Sequence, residues 1–133
     1  MKNYIISIIV LLILDIIWIS LYMGKQYKKQ INNIQNNVLT PKYTYAMFAY
    51  FLMTIGLIQF VIPNIKKENR LYDSFKYGFV FGLIVYGIYD FTCATIFKDW
   101  DIKLAFIDVI WGGFVYFIAA YIGSFFIKNS KDF

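Results

Sequence analysis

Three carboxylates stand inside otherwise apolar runs: Asp15 in "LDIIW", Asp90 in "YGIYDFTCATIFKDW" and Asp108 in "IDVIW". A carboxylate in hydrocarbon costs roughly 2.5–3.5 kcal/mol on insertion scales, so such residues face a bundle interior or a wet cavity. There they can exchange protons, bind cations or, as pairs, hold Mg²⁺ or work as acid and base. Their neighbours are hydrogen-bond donors. Asp15 with Trp18, and Asp108 with Trp111, both read Asp-x-x-Trp, which puts each indole on its carboxylate's helix face. Around Asp90, Tyr86 and Cys93 share its face and Tyr89 borders it. Lys98 follows Asp90 on nearly the same face, about 12 Å further along the axis, at the expected mouth of the group. Indole and phenol groups donate to buried carboxylates. The competing reading makes the acids glue between helices and the tryptophans part of aromatic belts.

The elements that carry these residues follow from composition. Of 133 residues, 60 per cent are hydrophobic and 22 per cent aromatic. A soluble domain of this size has too little interior to hide that much apolar surface. Four apolar segments, about 4–23, 43–63, 75–97 and 104–127, are each long enough to cross a hydrocarbon core of about 30 Å. They lack the alternation of barrel strands. The expected fold is all-α, a four-transmembrane-helix bundle forming one membrane domain over 1–133. The first segment is expected to be retained: its apolar run is long for a signal peptide, it contains Asp15, and no small-x-small site follows.

The net charge of +5 does not point to nucleic acid, because the cations cluster at helix ends, where they meet lipid head groups. Seven fall on the side of the termini (Lys2, Lys66, Lys67, Arg70, Lys76, Lys128, Lys131) and six on the other, a slight lean toward cytoplasmic termini. The polar connection 24–42 carries Ile31, Ile34 and Val38 at helical spacing; it reads either as a surface helix or as a solvated loop. Gly78 and Gly82 form one small-residue stripe, and Gly112, Ala119 and Gly123 another. One stripe suits internal packing and the other a homo-oligomer. Cys93 is the only cysteine, so no internal disulfide forms.

Depth ties the acids together. Measured from the helix ends beside the 24–42 connection, Asp15, Asp90 and Asp108 lie about 12, 10 and 6 Å deep, in one leaflet. The tight "KDWDIK" turn makes the last two helices antiparallel neighbours. Asp90 is therefore expected to meet Asp108, with Asp15 completing the group. Carboxylates so close in a low dielectric cannot easily both ionise and should titrate as one coupled unit.

The string from Tyr86 to Trp100, followed by "DVIWGG", resembles a family of small membrane proteins of bacteria and giant viruses, domain of unknown function two-one-seven-seven. Tyr89, Asp90, Thr92, Ala94, Thr95, Lys98, Trp100, Asp108, Trp111 and Gly112 match its pattern, and the likeness covers nearly the whole chain. Cys93 stands where the family has asparagine, and Asp101 where it has proline. The resemblance implies a four-helix integral membrane protein, in a bacterial or a viral or host membrane, and no particular activity. It adds Thr92 to the candidate residues.

The chain has no histidine, no nucleophile set beside a base and no phosphate loop. Neither a cofactor nor a metal is expected. The preferred function is binding or transport of a small molecule, proton or cation through the carboxylates. The alternatives are a structural or assembly protein and an intramembrane enzyme using paired carboxylates.

Overall fold

A computed structural model of the chain describes residues 2–126. The expected end of the last helix, with Lys128 and Lys131, lies outside the described residues. Helix α1 (Lys2–Trp18) passes through a π-helical turn (Ile19–Met23) into α2 (Gly24–Gln35). Helix α3 (Tyr43–Gly56) continues through a second π turn (Leu57–Val61) into a short 3₁₀ turn (Ile62–Asn64). Helix α4 (Arg70–Asp73), a third π turn (Ser74–Phe79) and α5 (Val80–Ile96) form one rod, and α6 (Ile102–Ser124) completes the chain. Four continuous helices, Tyr4–Gln35, Tyr43–Asn64, Lys67–Ile96 and Ile102–Ser124, are long and apolar enough to cross a membrane. No strand occurs among the described residues.

The first helix runs a full twelve residues past its expected end, since α2 spans Gly24–Gln35. The polar connection is thus neither a detached surface helix nor a loop along most of its length. It stops where Asn36 takes a left-handed conformation (φ 51°), which asparagine tolerates better than most residues. Pro63 lies in the 3₁₀ turn that closes the second span, where a missing N–H is harmless. The Asp101 side chain caps α6 by accepting from the N–H groups of Lys103 and Leu104. Asp73 is buried at the start of the third span, and its carboxylate accepts from the Lys66 N–H at 2.9 Å.

Helix α6 is the centre of the bundle, with α5 on one side and α1 on the other. Lipid tails are as apolar as leucine, so helices in a bilayer associate by close packing and hydrogen bonds. Gly82 lies so near the Gly112 carbonyl that no Cβ could fit between them. A Cβ on Gly78 would sit 2.9 Å from the Tyr116 carbonyl oxygen. Gly123 closes against Ser7 of α1. Both small-residue stripes are therefore consumed inside one chain, one at α5–α6 and the other at α1–α6 as well, and neither is left over for a second copy. Around them Leu11, Leu57, Val61, Ile62, Val115, Tyr116, Ala119 and Ala120 make a dry core. The second span joins it mainly through Leu57–Asn64; the Tyr43–Gly56 half stands largely exposed.

Candidate functional site

Asp90 and Asp108 converge on one hydroxyl, and it belongs to neither of their own helices. Tyr27 of α2 lies 2.7 Å from Asp108 Oδ2 and 3.1 Å from Asp90 Oδ1. The π turn explains how α2 delivers it. In an uninterrupted α-helix Tyr27 would point about 120° away from Asp15; the wider π turn absorbs about one extra residue and cuts that to about 20°. Asp15 and Tyr27 thus face the same side of one long helix. Below Tyr27, Gln30 is buried and its Oε1 accepts from the Asp101 N–H, which fastens α2 to the turn between α5 and α6. The Tyr27 ring meets Tyr89 edge-on at 6.3 Å and Trp100 at 5.7 Å.

A phenol has one proton. It donates to Asp108 across the shorter contact; the longer contact becomes a second full hydrogen bond only if Asp90 carries a proton and donates to the phenol oxygen. Asp90 has no exposed surface, and its Oδ2 has no hydrogen-bond partner. The buried Trp100 indole nearby also lacks one.

Asp108 accepts a further bond at 2.9 Å from the Trp18 indole. Trp18 stacks on Trp111, ring centres 4.6 Å apart and planes 13° from parallel. The two Asp-x-x-Trp motifs therefore meet through their rings, but neither indole serves its own helix's acid. Trp18 reaches across to Asp108, and the buried Trp111 N–H has no partner.

Asp15 shares no hydrogen-bond donor with the pair, although it stands on the wall of the same cavity as Asp108. It occupies a separate position, clamped at 2.5 Å by the Tyr50 hydroxyl and at 2.6 Å by Tyr86. Tyr86, expected to serve Asp90 on its own face, sits one turn deeper and bonds Asp15 instead. Among the described residues no three His, Cys, Asp or Glu side chains come together as a metal site would require.

The remaining candidates separate. Cys93 is half-buried beside Tyr89 and Asp90. Tyr89 is half exposed but borders the site as expected. Thr92 faces outward onto a shallow groove with Leu83, Ile84 and Thr95, away from the acids. Lys98 is exposed in the α5–α6 turn, where the chain must leave the helix to reverse direction, and makes no contact with the cluster among the described residues. Tyr27, Gln30, Tyr50 and the burial of Trp100 were not anticipated. A faint signal exists for Tyr50: Ala46, Ala49, Tyr50 and Met53 share a face, which separates it from the exposed Tyr45, although Tyr43, two turns earlier, falls on that face too and is exposed at the helix start.

Between α1–α2, α3 and α5 lies a cavity of about 670 Å³. Asp15 and Asp108 are on its wall with Trp18, Tyr27, Tyr50 and Tyr86; the rest of the lining is apolar apart from Tyr89, and it contains no lysine or arginine. It exists because α3 stands away from the bundle beside Ala46 and Ala49, with Leu39 of the linker at its edge.

No curated protein and no solved structure matches the chain. The sequence model of the family described as "Predicted membrane protein (DUF2177)" matches residues 1–125. With four apolar helices in hand and nearly every residue matched, the chain belongs to this family of membrane proteins.

Proposed function

We propose that the protein binds a cation within the membrane, a proton being the smallest occupant, through Asp90, Asp108 and Asp15. One observation carries this reading. All three carboxylates are buried, and their hydrogen-bond partners are three phenols and one indole, all neutral. Neutral donors offset part of the cost of burying a charge. They leave the charge itself uncompensated, and an uncompensated buried carboxylate is strongly unfavourable. A proton or another cation supplies the balance. The Tyr27 hydroxyl shared by Asp90 and Asp108 is arranged for a proton held between two acids.

Carriage across the membrane is the wider form of this reading. The dry core of Leu57, Val61, Ile62, Tyr116 and Ala119 closes the far half of the bundle, so carriage needs a rearrangement or a second copy. A homo-oligomer would have to use surfaces other than the two glycine stripes. The structural reading also has an observation behind it: Asp15 ties three spans and Asp108 ties two.

Infrared titration of the full chain in lipid nanodiscs separates the two. The binding reading expects a carboxyl band that changes with pH in the wild type and shifts in Asp90→Asn and Asp108→Asn, with unfolding temperatures close to wild type. Silent carboxyl bands, with Asn variants that simply unfold, would leave only structural glue.

A further inference from the structure

The cavity is far larger than a proton or a bare metal ion needs. At about 670 Å³ it falls within the range of small-molecule pockets, roughly 300–1,000 Å³. Its charged lining residues are Asp15 and Asp108, both acids. Anions are therefore repelled. A strongly hydrated cation gains little from walls that are otherwise aliphatic and aromatic. We infer that the cavity binds a lipophilic organic cation of quaternary ammonium or phosphonium type, taken up from the lipid beside α3. This rests on the cation-site reading and names its ligand class.

Four features support the assignment. Every oxygen of Asp15 and Asp108 already accepts one bond, from Tyr50, Tyr86, Trp18 or Tyr27, so a ligand that brings charge without N–H donors leaves no acceptor wholly unpaired. The same side chains present aromatic rings to the cavity, and rings attract cations through their faces. A phenol that donates its proton to a carboxylate is more electron-rich, which strengthens that attraction. Asp90, fully buried behind Tyr27 and 3.1 Å from its hydroxyl, fixes that ring in the cavity wall. Ala46 and Ala49 of α3 line the cavity, and Ala49 is also exposed on the half-helix that lipid would cover, so a route in from that side is apolar.

The test compares two probes of equal shape and opposite charge, tetraphenylphosphonium and tetraphenylborate, by equilibrium dialysis on the full chain in phosphatidylcholine nanodiscs. The expected result is saturable binding of the phosphonium alone. Asp15→Asn and Asp108→Asn should each weaken it about tenfold or more, the loss expected when one charged partner goes. Ala49→Trp, which fills the cavity and removes no carboxylate contact, should abolish it. If Asp108→Asn fails to fold, Asp15→Asn and Ala49→Trp decide. Equal, non-saturable uptake of both probes, or saturable binding indifferent to Ala49→Trp, overturns the inference. A carboxyl band that titrates in a protein binding no phosphonium overturns it too and leaves the proton reading standing; a silent band with no binding removes both.

Discussion

The two halves of this bundle are held together by different physics. In one, Gly78, Gly82, Gly112 and Gly123 let backbones touch, and Val115, Tyr116, Ala119 and Ala120 fill what remains. In the other, acids, phenols and indoles bridge the helices and a cavity stays open. Helices in lipid lack a hydrophobic drive to associate, so each half needs its own source of adhesion. Close packing gives a rigid base but leaves no room for a ligand. Hydrogen bonds hold α1, α3, α5 and α6 at a distance and leave room. Tyr86 marks the border: its ring packs on Gly112 while its hydroxyl serves Asp15.

The sharpest way to break this comparison is to crowd the packed half. A Cβ at Gly82 would collide with the Gly112 carbonyl, which is backbone and cannot turn aside. Gly82→Ala is expected to lower stability by about 2–3 kcal/mol, in the range of overpacking. At Gly87 the nearest atoms to an added Cβ lie 3.8 Å away, an ordinary contact. Gly87→Ala should be neutral or slightly stabilising, because alanine is the better helix former. Unfolding of the full chain in micelles measures both. Equal effects would mean that the glycines act through flexibility and not through approach.

In the polar half, bonds and charge can be separated at Asp108. Asp108→Leu orphans the Trp18 indole and leaves the Tyr27 hydroxyl only its longer contact to Asp90, and a cost of about 2–3 kcal/mol is expected. Asp108→Asn keeps an acceptor and removes the charge, so its stability should stay within about 1 kcal/mol of wild type. The same unfolding measurement decides, and Asn as damaging as Leu would show that the charge itself organises this half.

The packed half was the more legible from sequence. G-x-x-x-G in "GFVFG" and the small residues of the last segment mark close approach locally; one stripe was expected to pack internally, and in the structure both do, against elements of the same chain. The acids were legible too, because a carboxylate in an apolar run is costly and therefore conspicuous. Their partners were not. Tyr27 lies in "GKQYKKQINN", whose composition reads as a polar connection; tertiary anchoring through Gln30 and Tyr27 keeps it helical. The π turn at Ile19–Met23 also shifts the helical phase, so counting at 100° per residue from Asp15 sends Tyr27 to the wrong face. Tyr50 stands in a run with Tyr43 and Tyr45, both exposed; its helix face sets it apart from Tyr45, but Tyr43 shares that face and only the fold distinguishes those two.

A smaller effect is expected at Tyr27 itself. Tyr27→Phe keeps the ring against Tyr89 and Trp100 and removes the shared hydroxyl, at a cost of about 1 kcal/mol. Its diagnostic value exceeds its size. Asp90 and Asp108 would lose their bridge, and the infrared carboxyl signal should change while Asp15, held by Tyr50 and Tyr86, keeps its own contribution. An unchanged spectrum would mean that the bridge is a contact without electronic consequence.

The smallest effect marks the edge of the polar half. Lys98 follows Asp90 at a spacing that would place it near the same face if the helix continued, but α5 ends at Ile96. Beyond that point the Phe97 backbone is extended, and helical phase no longer decides direction. Trp100 turns inward to be buried beside Tyr27, while Lys98 stays exposed in the turn. A lysine there interacts with water and lipid head groups, and an exposed substitution away from caps and contacts usually changes stability by no more than about 0.5 kcal/mol. Lys98→Gln is therefore expected to leave both unfolding and phosphonium binding at wild-type levels. Tighter binding on removal of this cation would place Lys98 within the field of the acids and extend the site out through the α5–α6 turn.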